Sequence, residues 1–295
     1  MTRTVTVGLD GSPESLAAAA WAAREAGLRG LPLRVVHIWE PVPFLQAPLL
    51  GAEAEAGWAE KLPRTAAEEL RRAHPELEIT VEQLSGRPAE LLPEAAEEAE
   101  LLVLGSRGLS GIGGFLVGSV GQAVIARATR PVVLVRAEEI PEREWAEGTG
   151  PGEAADGPVV LGLDTNDPYD DLLAFAFETA ARRGAPLRVV HGWNLPPYFA
   201  YGLPPDPELD ARLADEEAAT LRDVLKPWRE KHPTVEVSEE SRPGKAVDQL
   251  VRASEEASLV VVGRRVRRAR FSRIGSVAHA VLHHASSPVA VVPHP

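Results

Sequence analysis

The sequence predicts an α/β protein of two tandem doubly wound domains, each a mostly parallel five-stranded sheet flanked by helices. Three observations predict it: the chain repeats itself, each repeat alternates short apolar runs with helical stretches, and a polar stretch joins the repeats. Pro32-Leu-Arg-Val-Val-His37 recurs identically as Pro186-Leu-Arg-Val-Val-His191. Val7-Gly-Leu-Asp10 recurs as Leu161-Gly-Leu-Asp164 at the same offset. Glu97-Glu-Ala-Glu-Leu-Leu-Val-Leu-Gly105 matches Glu255-Glu-Ala-Ser-Leu-Val-Val-Val-Gly263, and Gly118-Ser-Val120 matches Gly275-Ser-Val277. Arg130-Pro-Val-Val-Leu-Val135 matches Ser287-Pro-Val-Ala-Val-Val292. The matches keep one order along the chain, and the unit is far longer than a solenoid repeat, so these are domains. A length of 295 residues also suits about two domains, each able to bury its own core. Residues 139–157 are rich in Glu, Gly and Pro and lack apolar periodicity, which is linker composition. They separate a domain at 1–138 from one at 158–295.

The elements of the first repeat follow in order. Apolar runs near 3–9, 32–38, 77–84, 101–105 and 131–136 have the length and Val/Leu content of buried parallel strands. Ser12-Pro13 supplies an N-cap and a first-turn proline, and Leu16, Ala19, Ala20 and Ala23 then share one helix face. A second helix falls at 53–73, where Pro63 should kink or split it. A third follows Arg87-Pro88 to about Ala99, with Pro93 in an early turn. The last starts at Gly118-Ser119 and ends near Ala128. In the second repeat, Asp167-Pro168 takes the part of Ser12-Pro13. Strands alternating with helices and joined by right-handed crossovers give a Rossmann-like doubly wound sheet.

Composition excludes several function classes. Without cysteine there is no disulfide scaffold, thiolate metal site or thiol nucleophile. A net charge of −12 opposes a general nucleic-acid binder, which needs a basic face. The first residues carry no apolar stretch of signal-peptide length, and no window is apolar for 18 residues. These features predict a cytoplasmic protein with neither a membrane nor a nucleic-acid partner.

In an open α/β sheet, ligands bind beyond the carboxyl ends of the strands. There the sequence places Asp10-Gly-Ser12 after strand one and Ile38-Trp-Glu40 after strand two. After strand four comes a loop with Gly105, Gly108, Gly111, Gly113, Gly114 and Gly118, which leads into a helix at Ser119. Glycine permits close backbone approach, and a helix N-terminus offers unpaired N–H donors, so phosphate is the natural guest. Ser106 and Arg107 flank the loop's start, and Ser119 can cap the helix or bond a phosphate oxygen. A plain surface loop is the alternative. The Walker A pattern is absent, because Gly244-Lys245 is followed by Ala246. The dinucleotide pattern fails too, because position 116 is Leu.

Gly105-x2-Gly108-x9-Gly118-Ser119 resembles the nucleotide-binding signature of the universal stress protein family without deviation. Val5-Thr-Val-Gly-Leu-Asp10-Gly-Ser, Val35-Val-His37 and Arg130-Pro-Val-Val-Leu-Val135 resemble the same family, and the likeness covers both halves. The resemblance implies bound ATP, alone or with Mg2+, in a stress-response regulatory protein. It implies that Asp10, beside Gly8 and Gly11, meets the nucleoside and that backbone at Val36, His37 and Ile38 meets adenine. It assigns ribose and phosphates to Gly105 through Gly111, then Gly118, Ser119 and Val120. A slow ATPase or other nucleotide-using enzyme and a ligand-free interaction scaffold are the alternatives, and no catalytic base, Mg-ligating pair or nucleophile is readable beside the loop. The protein partner of such a regulator is not written in the sequence.

The second half departs from the pattern. Gly263-Arg264-Arg265-Val266 puts Val where the second glycine belongs, the loop to Gly275-Ser276 is one residue shorter, and Thr165 stands at the Gly11 position after Asp164. Arginines 264, 265, 267, 268, 270 and 273 crowd this loop. They could hold phosphate by charge-assisted bonds, or simply be solvated. His279, His283 and His284 share a helix at metal-compatible spacing, but no carboxylate in that segment completes a site, and no metal is expected. Each half ends in an apolar strand, and such strands seek partners when they lie at sheet edges. Single-domain members of the resembled family dimerise through that strand. The expectation is an intramolecular pseudo-dimer, Val132, Val133 and Val135 facing Val289, Val291 and Val292, with a homodimer of whole chains as a further option. Small-angle scattering and cross-linking of the two strands check this; an extended two-bead particle without cross-links rejects it.

Overall fold

The computed structural model describes residues 3–40, 52–106, 118–137, 157–196, 198, 204–266 and 274–295, the side chains of 52–60 excepted. The chain divides into two compact units, whose sheets are formed by β1–β5 and by β6–β10.

In the first unit the order is β1 (Thr4–Gly8), α1 (Pro13–Arg29), β2 (Leu33–Trp39), α2 (Ala52–Ala73), β3 (Ile79–Ser85), α3 (Pro88–Glu97), β4 (Ala99–Gly105), α4 (Ser119–Arg127) and β5 (Val132–Val135). Its strands lie in the order β3-β2-β1-β4-β5, all parallel. Val5 pairs with Leu33 on one side and Leu101 on the other, so the central strand is flanked by apolar neighbours. Val5, Val7, Val35, Leu101 and Val103 are fully buried, as a sheet covered on both faces demands. The helix starting at Ser12-Pro13 forms as expected: the Ser12 hydroxyl accepts from the Ser15 amide, Pro13 opens the helix, and Gly30 closes it in the left-handed conformation. The helix at 52–73 is not split. Pro63 lies inside one continuous α2, and Pro93 inside α3.

The second unit repeats the plan with β6 (Val159–Gly162), α5 (Asp170–Arg183), β7 (Leu187–Trp193), α6 (Pro207–Lys231), β8 (Val237–Pro243), α7 (Ala246–Ala253), β9 (Leu259–Arg265), α8 (Ser276–His284) and β10 (Val289–His294). Its order is β10-β9-β6-β7-β8, again parallel. One expectation fails at the start of α5. Asp167-Pro168 does not open that helix; Tyr169 occupies the N-cap without a side-chain capping bond. Asp167 is drawn off by an ion pair with Arg265, so its carboxylate is not spent on the helix amides.

Candidate functional site

In the first unit the sheet changes direction of growth between β1 and β4, and a cleft of about 380 Å³ opens there beyond the strand ends. Gly8, Leu9 and Asp10 come to it from β1, Val36, Ile38 and Glu40 from β2, and Leu104 and Gly105 from β4. Gly118, Ser119, Val120 and Gly121 bring the start of α4, while Pro88 and Leu92 bring α3. Chain segments far apart in sequence thus converge on one space. Leu9, Ser12, Glu14, Ser15, Pro88, Leu92 and Leu104 were not expected as site residues. The signal for Ser15 was its place three residues after the Ser12 cap.

The turn after β1 is tightly bonded. Asp10 Oδ1 accepts from the Ser12 amide at 3.0 Å and from the Ser12 hydroxyl at 2.6 Å. The Ser15 hydroxyl accepts from the amides of Asp10 at 3.3 Å and Gly11 at 3.1 Å, and donates to the Ser12 carbonyl at 2.9 Å. Gly11 has φ +85°, where a side chain is strained, so this glycine is required by the turn itself. The neighbouring strand end is also pinned: the Leu9 amide donates to the Val36 carbonyl, and the His37 ring bonds the Leu9 carbonyl through Nδ1 at 2.8 Å. His37 is therefore a structural clasp and does not line the cleft. By the two-residue period of a strand, the backbone N–H and C=O of Ile38 point the way those of Val36 do, into the space beyond the end of β1.

Gly105 lines the cleft and also has a packing part. A Cβ there would lie 2.5 Å from the Glu14 carbonyl carbon and 2.6 Å from the Ser15 amide nitrogen. The missing side chain admits the first turn of α1 onto β4. Ser106 is buried and donates its amide to the Val135 carbonyl at 2.7 Å, outside the cleft. Arg107, Gly108 and Gly111 lie outside the described residues. Gly118, with φ −58° and ψ 154°, is the N-cap of α4, so Ser119 is the first helical residue and no side chain caps this helix. The first turn of α4 borders the cleft, since Ser119, Val120 and Gly121 all line it. The charged side chains among the described lining residues are Asp10, Glu14 and Glu40.

Residues 1–136 and 157–293 each match the Universal stress protein family. The chain belongs to that family. It is 34% identical over 298 residues to a universal stress protein of Mycobacterium tuberculosis strain H37Rv, covering 97% of this chain and 96% of the relative. A universal stress protein of Mycolicibacterium smegmatis is 30% identical over 297 residues, covering 98% and 96%. The crystal structure of a universal stress protein from Archaeoglobus fulgidus superposes with a TM-score of 0.70 at 16% identity, each chain covered in full, which shows the shared fold.

The second universal stress protein repeat carries different contacts at its strand ends. Asp164 Oδ1 takes the amide and side-chain nitrogen of Asn166 at 3.0 and 3.1 Å. Thr165 bonds His191 Nε2 at 3.3 Å, and the same nitrogen lies 3.2 Å from a Glu217 oxygen. A Cβ on Gly263 would lie 2.8 Å from His294 Nε2, so the last strand's imidazole sits where the α1 turn sits on Gly105. The His294 ring stacks on Tyr169 at 3.8 Å, and Arg265 reaches the Tyr169 hydroxyl at 2.8 Å. Arg264 is only 2% exposed, and burial lowers its pKa. Burial likewise lowers that of His294, with Arg265 and Arg264 adding to the effect. Arg264 is thus built into the fold, while Arg265 stays exposed and pairs with Asp167 and the Tyr169 hydroxyl. Gly275 caps α8 with open space beside it, and Ser276 begins that helix, as Gly118 and Ser119 do for α4. His279 and His283 approach to 4.4 Å between ring centres, but among the described residues no three His, Cys, Asp or Glu side chains converge on a metal position. No described helix is long and apolar enough to cross a membrane.

The Gly105 contact makes a direct prediction. Gly105→Ala should destabilise the protein by about 1–3 kcal/mol, because backbone on both sides must move to admit a methyl group. Chemical denaturation measures it; a change below about 0.5 kcal/mol would mean that α1 can lift from β4 freely.

Proposed function

We propose that the first half binds an adenine nucleotide, ATP in the first instance, and that the protein is a nucleotide-binding regulator of the stress response. The observation that carries the reading is the uncapped start of α4 opening on the same cleft as Asp10 and the Ile38 backbone. A helix start with free amides holds phosphate. A carboxylate suits the paired hydroxyls of a sugar. A strand-end N–H and C=O suit the edge of adenine. The cleft's volume of about 380 Å³ lies in the range of small-molecule sites. The glycine loop, with Gly108 and Gly111, completes the phosphate side in this reading, and Arg107 supplies positive charge. Mg2+ would travel with the triphosphate, and Asp10, Glu14 and Glu40 are oxygen donors of the kind it takes.

In this reading bound ligand alters a surface read by a protein partner in the cytoplasm. Measuring phosphate release beside occupancy separates such a binder from a slow ATPase. The second half is proposed to take nucleotide weakly or not at all, because Val266 stands where the second glycine of its loop belongs and Thr165 stands at the Gly11 position.

Two measurements test this. Calorimetry of the full chain with ATP, with and without Mg2+, should give about one site per chain; two equal tight sites would reject the asymmetry, and no binding would reject the reading. Gly118→Val has a permitted backbone conformation, since φ is −58°, so the fold should persist. Its branched side chain at the mouth of α4 should weaken ATP more than about tenfold, or roughly 1.4 kcal/mol. Unchanged affinity removes Gly118 from the site.

A further inference from the structure

Ser15 lines the cleft yet is only 3% exposed, and the reading above gives it no part in holding ligand. Its hydroxyl is already saturated. A serine hydroxyl has one hydrogen to give and two lone pairs. Here the hydrogen goes to the Ser12 carbonyl, and the lone pairs take the amides of Asp10 and Gly11. Nothing remains for a ligand atom. What those three bonds do is hold the backbone of residues 10–12 in one shape, around a glycine with φ +85°. Ser12, held in that shape, donates its amide and its hydroxyl to Asp10 Oδ1 and fixes the carboxylate's rotation. The chain of contacts runs from a buried hydroxyl on α1 through Ser12 to the carboxylate that meets the sugar.

We infer that Ser15 is a positioning residue that sets the site's preference for ribose by way of Ser12 and Asp10. This rests on the adenine-nucleotide reading. A carboxylate accepts bonds from both sugar hydroxyls only if it is presented edge-on to them, and its rotational freedom would otherwise be lost on binding. The second half shows the arrangement dismantled. Asn166 stands at the Ser12 position and Tyr169 at the Ser15 position. Asp164 is still held by Asn166, but Tyr169 turns to His294 and Arg265, and the buried hydroxyl beneath the turn is gone.

The experiment compares ATP with its 2′,3′-dideoxy analogue by calorimetry on the full chain and on Ser15→Ala. In the unmodified protein the analogue should bind about tenfold or more weakly, the loss of bonds to a charged group. In Ser15→Ala that ratio should fall to within about threefold, through weaker ATP binding with the analogue almost unchanged. Ser15→Thr keeps the hydroxyl and should restore the ratio. If Ser15→Ala weakens both ligands alike, the residue does not act through the sugar and the inference falls. Equal binding of both ligands by the unmodified protein also overturns it while leaving the nucleotide reading intact; failure to bind ATP removes both. Should Ser15→Ala not fold, Ser12→Ala deletes the hydroxyl bond to Asp10 without touching the buried position. It carries the same expected fall in the ratio, and an unchanged ratio there is equally fatal.

Discussion

A Cβ on Gly105 would stand 2.5 Å from the carbonyl carbon of Glu14, so α1 and β4 meet backbone to backbone where the sheet ends. That contact decides the depth of the cleft and the line of its wall. It seats the first turn of α1 over the end of β4. There the Ser15 hydroxyl reaches back to the amides of residues 10 and 11, and Ser12 reaches Asp10. A side chain at 105 would lift the helix, lengthen bonds that are now 2.6–3.3 Å, and release the turn. The parallel sheet brings the strand ends to one edge. The glycine lets the helix close over them.

The second half solves the same packing problem with a different occupant. Gly263 also faces something closer than a side chain would permit, but it is the imidazole of His294, with Tyr169 stacked behind it. In exchange, α5 starts at Asp170 after an N-cap with no capping bond, where α1 starts directly after the Ser12 cap. One ancestral architecture therefore carries two different strand-end chemistries. The sheet does not depend on which is present: the β6–β9 and β1–β4 pairings are alike, and Val5, Val7, Val159 and Leu161 of the two central strands are fully buried. Duplication leaves one copy free to change its strand-end residues because the core beneath them is made by other residues.

Most of the fold was legible because its signals are local and repeated. Strands at 33–39 and 187–193 announce themselves by apolar runs, and α1 by the Ser12-Pro13 that opens it. Tertiary packing overrode local rules at two places. Pro63 lies inside an unbroken α2, and Asp167 preferred Arg265 to the helix it precedes. At the site, the sequence showed which segments converge: Asp10, Ile38, Gly105 and Gly118 do line one cleft. It could not show what each glycine is for. Gly11 is held at positive φ, Gly105 is packed by backbone, and Gly118 has an ordinary conformation; in the sequence all three are the same letter. Nor could it show that His37 is spent on the Leu9 carbonyl, because that bond joins residues 28 apart.

The distribution of charge over the described wall fits a ligand with two unlike ends. Along the sheet, the β2 and β1 side carries Glu40 and Asp10, and the β4 side leads to the first turn of α4. Carboxylates repel phosphate and accept bonds from hydroxyls, so the first side favours the neutral, hydroxylated part of a ligand. A helix start carries roughly half a positive charge spread over donors that need partners, so the second side favours the anionic part. Glu14 lies between them, in the first turn of α1, where that helix's own positive end offsets it. A uniformly anionic or uniformly neutral ligand would satisfy one side and oppose the other. A nucleotide carries hydroxyls and phosphate on one sugar, so it would meet both sides in a single orientation, as the proposed function requires.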